Sequence, residues 1–197
     1  MVFSEPTIMP QKIKPKTPRP YLSHSQMQMV LTDPDRYVRV YLEKQEQETN
    51  EAMEFGSAVH KALEAGETEH ENAMIAHALL YLPKYEKREV KIRAKVGGIP
   101  LYGIMDGYDP KQNVGGEVKT GRSEWNQRRV DRHGQLTFYS LIKPKIEDWR
   151  LHWLNTATGE IKTFETRRTN LDRLRFFGEV KEAWETIKKL TAEYYSL

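Results

Sequence analysis

The order of apolar and polar residues changes period several times along this chain. After Tyr21 the spacing is helical, with Ser23 as N-cap and Gln26 three residues on, as in a capping box. Asp33-Pro34 breaks that helix and opens a second, through Tyr37, Val40 and Tyr41. Residues 43–54 are strongly polar and predict a loop or a frayed helix end. A helix is predicted from Phe55 to Ala65, with Val59, Ala62 and Leu63 on one face. Another carries Met74, Ala78, Leu79 and Leu82, and Pro83 ends it. From Glu89 the period becomes two: Val90, Ile92, Ala94 and Val96 alternate with charged residues, the mark of a half-buried strand.

Gly97-Gly98 predicts a tight turn, and Ile99 to Tyr108 the next strand. Residues 109–113 are turn chemistry, and Val114 to Thr120 reads as a third strand. Helix resumes from Val130 to Ile142, until Pro144. Trp149–Leu154 and Ile161–Thr166 make a hairpin around Thr158-Gly159. The last helix runs from Leu171 to Tyr195, with Leu174, Phe177, Val180, Trp184, Ile187 and Leu190 at helical spacing. This order predicts a mixed α/β (α+β) fold, a central mixed sheet flanked by helices, with no internal repeat.

Length and composition refine the picture. At 197 residues the chain suits one domain, residues 21–197, preceded by a short arm. The arm, residues 1–20, holds five prolines and four of the basic residues against Glu5 alone. Proline at that density predicts a flexible extended segment, either solvated or in contact with phosphates. No cysteine is present, which excludes disulfides, thiolate zinc sites, iron–sulfur clusters and cysteine nucleophiles. A metal here is held by oxygen and imidazole. The richest apolar run, Ala76–Leu82, is far short of the ~20 residues of a membrane span, and the N-terminus lacks a signal-peptide core. A cytoplasmic protein without membrane contact is expected. The formal charge of +3 is too mild to name a partner by itself.

Candidate chemistry gathers in Gly103-Ile-Met-Asp106 and Gly116-Glu-Val-Lys-Thr-Gly121. If Asp109 pairs with Val114 across the turn, Asp106 faces Glu117, with Cβ atoms ~5 Å apart. Two carboxylates so placed repel, and a divalent cation between them reverses the sign. Glu117 and Lys119 point to one face of their strand and Val118 to the other. Two acids, one lysine and the Val118 carbonyl suit Mg²⁺ or Mn²⁺. Gly115, Gly116 and Gly121 would let a bulky substrate approach the backbone. The competing reading of the spacing is an exposed hairpin edge with scattered charges.

Asp106 with Glu117-Val118-Lys119 resembles the PD-(D/E)XK nuclease superfamily, and more narrowly its RecB-type branch, which includes phage exonucleases and CRISPR-associated RecB-like nucleases. Four further features appear in the family's order. Leu22-Ser23-His24-Ser25, with Asp33-Pro34 and Tyr37, is similar to the opening helix motif. Gly56-Ser-Ala-Val-His60 is similar to a helical Gly-x-x-x-His motif. Glu89 opens the strand before the catalytic hairpin. Gln135-Leu-Thr-Phe-Tyr139 is similar to the Gln-x-x-x-Tyr motif of the following helix.

The resemblance implies a restriction-endonuclease-like core and metal-dependent hydrolysis of DNA, most simply by an exonuclease in end processing, recombination, repair or phage DNA metabolism. It implies Asp106, Glu117, the Val118 carbonyl and His60 as ligands of Mg²⁺ or Mn²⁺. Lys119 would orient the attacking water, and Gln135 and Tyr139 would brace it or touch DNA. Glu89, Ser23 and Ser25 are further candidates. The implied partner is DNA, as single- or double-stranded ends, together with recombination proteins. A structure-specific or nicking endonuclease and an inactive DNA-binding module are the alternatives. Many RecB-type members hold an iron–sulfur cluster with four cysteines; here Asp33 precedes Pro34 and that cluster is excluded. Its place would be taken by packing of Trp149, Trp153, Phe176, Phe177 and Trp184. Arg122, Arg128, Arg129 and Arg132 around Trp125 form the expected DNA-contacting stretch, arginines on phosphates and the indole on an unpaired base.

Overall fold

The computed structural model describes residues 17–196, so residues 1–16 of the expected arm lie outside the described residues. The end of the arm that is described is tied to the body. The Arg19 guanidinium lies 5.0 Å from the centre of the Tyr41 ring.

Helix α1 (His24–Thr32) starts at the expected capping box: the Ser23 hydroxyl accepts from the Gln26 N–H, and the Gln26 side chain accepts from the Ser23 N–H. Asp33 then caps α2 (Pro34–Tyr37), where proline at the first position needs no N–H partner. That helix continues as a π-helical turn over Val38–Leu42. Helix α3 (Glu51–Ala65) begins earlier than Phe55, because the Asn50 side chain accepts from the Met53 N–H and caps it. Gly66, at φ 71°, ends it in the left-handed conformation. Helix α4 spans Ala73–Tyr81.

Five strands follow: β1 (Lys87–Val96), β2 (Ile99–Asp109), β3 (Val114–Gly121), β4 (Asp148–Asn155) and β5 (Ile161–Arg167). They lie in sequence order in one sheet. All neighbours are antiparallel except β3 and β4, which are parallel. A parallel pair needs a crossover, here α5 (Gln127–Asp131) and α6 (Gly134–Ile142). The single helix expected from Val130 to Ile142 is therefore two. The chain breaks at Arg132-His133, where His133 is extended and Gly134 fits against His24 and Phe176 at 3.1 Å from where a Cβ would stand. Helix α7 (Asn170–Tyr194) completes the fold from a second capping box, Thr169 with Asp172.

Helices cover both faces of the sheet. On one face Ile92, Leu101, Met105, Trp149, Leu151 and Trp153 pack against Met27, Val30, Phe138, Phe176, Val180 and Ile187. Phe177 and Trp184 lie against that core. On the other face Val118 and Leu154 meet Val59, Ala62, Ile75, Ala78 and Leu79 of α3 and α4. No helix among the described residues is long and apolar enough to cross a membrane.

The sheet forks between β2 and β3. These strands pair only at Gly107–Gly116, Tyr108–Gly115 and Asp109–Val114. At the far end of β2 the Leu22 backbone takes the vacant edge, donating to the Pro100 carbonyl and accepting from the Tyr102 N–H. Tyr139 of α6 enters the gap and donates to the Ile104 carbonyl at 2.5 Å. Gly103 makes room, since a Cβ there would stand 2.7 Å from the Tyr139 ring.

Candidate functional site

Asp109 pairs with Val114, the register expected to set Asp106 opposite Glu117. The backbone ladder stops one step earlier, at Gly107–Gly116, and a side chain replaces it. Asp106 Oδ2 accepts from the Val118 N–H at 2.6 Å. Within a strand the N–H and C=O of one residue address the same neighbour, so the Val118 carbonyl lies on the fork side of β3. The other Asp106 oxygen is 3.3 Å from Nδ1 of His60 on α3.

Glu89 joins them from β1. The ladder pairs on either side of it are Arg88–Gly107 and Val90–Met105. Glu89 itself has φ 46°, a conformation that costs a non-glycine residue roughly 1–2 kcal/mol. The twist reverses the strand's facing: Arg88 donates to the Leu63 carbonyl on α3, while Val90 packs on the opposite core. Strain of this sort gathers at functional sites. His60, Glu89 and Asp106 each offer a ligand atom within 4.8 Å of the others.

Glu117 is 2% exposed. Its Oε1 accepts from Lys119 Nζ at 2.6 Å, whereas Oε2 is buried with no hydrogen-bond partner. Lys119 also donates to Gln135 Oε1 at 2.8 Å, and the Gln135 amide donates to the Tyr139 hydroxyl at 2.6 Å. Gln135 and Tyr139, one turn apart on α6, thus link Lys119 to the backbone of β2.

Electrostatics describe a site short of positive charge. Burial pushes the Glu117 carboxyl up to about 7, with Lys119 pulling the other way and Asp106 adding to the rise. Burial, Asp106 and Glu64 raise Glu89. Burial pulls the His60 imidazole down, but its hydrogen bond and charge contact with Asp106 hold it above its usual value. A divalent cation held by His60, Glu89 and Asp106 would offset the negative charge gathered there. Oxygen donors with one imidazole suit Mg²⁺ or Mn²⁺, so the residues present fit such an ion. Glu89 stands closer to the cluster than the sequence indicated. Glu117, expected as a ligand, is not among the three groups that converge; its carboxylate is engaged with Lys119 on the α6 side. The cleft over His60, Glu64, Tyr85, Glu89, Asp106 and Val118 has about 30 Å³ of free space, room for an ion and a water.

Two expectations are corrected. Gly115 and Gly116 do not open the strand to a substrate, because the chain fills both places itself. A Cβ would stand 2.3 Å from the Trp149 ring at Gly115 and 2.2 Å from the Tyr85 ring at Gly116. Only Gly121 of the three faces open space. Trp125 is not a free stacking platform: it is 7% exposed, within the main core, with Arg129 4.0 Å from its ring centre. An indole of that size gains more from the core than from water. Arg122, Arg128, Arg129 and Arg132 are all exposed. Ser23 uses its hydroxyl as the α1 cap and shares a hydrogen bond with Ser25, and neither bonds to the acid cluster.

Tyr85, which lines the cleft, was not legible as a site residue. The Tyr85 ring lies over Gly107 and Gly116, and its hydroxyl meets His152 Nε2 at 2.7 Å. His152 Nδ1 meets the Thr163 hydroxyl at 2.8 Å. The available signal was glycine at two strand positions, which marks a close approach of some other group.

No protein-family model matches the chain. No curated protein matches it either. Solved structures do. One is the "putative exonuclease" of Eubacterium rectale, at 14% identity and TM-score 0.65, covering 88% of this chain and 82% of that one. Another is the protein SSO0001, at 16% identity and TM-score 0.54, covering 85% and 76%. At these identities the likeness concerns the fold, a mixed sheet flanked by helices.

Proposed function

We propose that this chain is a metal-dependent deoxyribonuclease of the RecB-type PD-(D/E)XK kind, acting on DNA ends as an exonuclease. The observation that carries the reading is the Glu117–Lys119 pair beside Asp106, with a buried carboxylate oxygen left unpartnered. The nuclease half also draws on the fold shared with a protein named as a putative exonuclease.

His60, Glu89, Asp106 and the Val118 carbonyl would hold Mg²⁺ or Mn²⁺. Such an ion lowers the pKa of bound water and offsets charge on a phosphoryl centre. The chain's own residues do the rest. Lys119 presents its ammonium on the side of the cluster where Glu117 holds it, and there it aligns a water and steadies a phosphate oxygen. Gln135 and Tyr139 keep that ammonium from swinging away, since the Tyr139 hydroxyl is anchored on the Ile104 carbonyl. Arg122, Arg128 and Arg132, exposed beyond the end of β3, would bind phosphates without reading bases. Processing of ends during recombination, repair or phage DNA metabolism is the role this chemistry suits, alongside recombination proteins.

The test is digestion of end-labelled single- and double-stranded DNA with Mg²⁺ or Mn²⁺, with a covalently closed circle in parallel. Release of nucleotides from ends, with the circle intact, is expected. Prompt cutting of the circle would replace the exonuclease reading by an endonuclease. No cleavage of any DNA would leave only a DNA-binding role.

A further inference from the structure

Beyond the acid cluster, β1 and β2 run on together to the Gly97-Gly98 turn. On the face away from the main core, Lys91, Arg93 and Lys95 are all exposed, at alternate positions of β1. Their register partners on β2 are Ile104, Tyr102 and Pro100. The Tyr102 ring stands 4.8 Å from that of Tyr21, and both are half-buried. None of the three cations has an ion-pair partner among the described residues. The row begins where Glu89 and Asp106 end.

Charged side chains commonly protect an edge strand from pairing with another chain. That purpose needs neither a single sign nor an aromatic ring among the charges. Strands rise about 3.3 Å per residue, so alternate cations stand about 6.6 Å apart. That is close to the step between successive phosphates of an extended nucleic-acid strand. A positive groove with an aromatic platform is the common design for holding single strands.

We propose that this face of the β1–β2 hairpin is the track of one DNA strand, with phosphates on Lys91, Arg93 and Lys95 and a base on Tyr102. The track leads the strand to the Glu89–Asp106 end. The proposal rests on reading the acid cluster as a cleavage centre.

The experiment measures binding of a fluorescein-labelled oligothymidylate in EDTA across a salt series. Three proteins are compared with the unaltered chain. The first is Lys91→Gln/Arg93→Gln/Lys95→Gln. The second is Lys181→Gln/Lys188→Gln/Lys189→Gln on α7, which removes the same charge elsewhere. The third is Tyr102→Leu. Three phosphate contacts correspond to a salt slope of about 2 on single strands. The hairpin variant is expected to lose that slope and at least about tenfold in affinity. The α7 variant should keep both. Tyr102→Leu should lose roughly fivefold or more with the slope unchanged. Unchanged binding in the hairpin variant, or an equal loss in the α7 variant, overturns the track. Cleavage is scored separately on the unaltered protein. Binding that depends on the three cations, without cleavage of any DNA, keeps the track and removes the nuclease reading. Cleavage with unchanged binding in the hairpin variant does the reverse.

Discussion

Glu117 and Lys119, two residues apart on β3, share a 2.6 Å ion pair that satisfies one oxygen of the carboxylate and leaves the other buried and unpartnered. The two members are not equivalent for stability. Removing the lysine strands a buried carboxyl, which costs roughly 3 kcal/mol when a buried pair is broken. Replacing the acid by its amide removes a buried charge. Lys119→Ala should therefore lower the melting temperature, while Glu117→Gln leaves it equal or raises it. Both should lose at least about a hundredfold in DNA cleavage. Thermal melts and single-turnover assays check this; full activity in either variant removes the site.

Metal should stabilise the folded chain, since the unfolded chain has no such cluster. At a hundredfold excess over Kd, Mn²⁺ should raise the melting temperature by roughly 5–10 °C. EDTA should reverse the rise, and His60→Ala or Glu89→Gln should shrink it. Scanning calorimetry reads this without reference to activity. An unchanged melting temperature, or an equal rise in both variants, would mean these side chains do not hold the ion.

Gly116→Ala should destabilise the fold by about 1–3 kcal/mol, because the new methyl overlaps the Tyr85 ring. In a Tyr85→Ala background the same change should cost little. A double-mutant cycle by urea denaturation measures the coupling. Independent, additive effects would show that Tyr85 does not occupy this space in solution.

Acid should destabilise the protein through His152. It is fully buried, and burial, with Arg150 adding, lowers its pKa to about 4. A base whose folded pKa lies below its unfolded value of about 6.5 binds its proton more readily when unfolded. Its contribution is therefore complete above pH 6.5 and is lost as pH falls toward 4, by about 3 kcal/mol. His152→Gln should lower stability at pH 7 but fall less steeply over that window. Equal slopes for the two proteins in urea melts between pH 7 and 4 would refute it.

The contrast between Glu89 and Glu117 separates what was legible from what was not. The Asp109–Val114 register next to Glu117 could be counted from the turn, because register in a short hairpin is local. Glu89 could be placed only on a strand. Its facing depends on one left-handed residue and on the arrival of α3, both set by the rest of the fold. Gln135 and Tyr139 were readable as one helical face, but their bonds to Lys119 and the Ile104 carbonyl cross a gap between strands.

The sequence by itself determined the periods, the element order, the capping box at the start of α1, the Asp33-Pro34 break before α2, and the absence of any thiolate donor. All but the last depend on residues a few positions apart. Tertiary structure alone decided that Trp125 is core, that Tyr85 and Trp149 occupy the space above Gly116 and Gly115, and that the crossover helix breaks at His133. Those outcomes depend on which distant side chain arrives at a given place. A pattern of apolar and polar positions says that a surface is buried without saying by what.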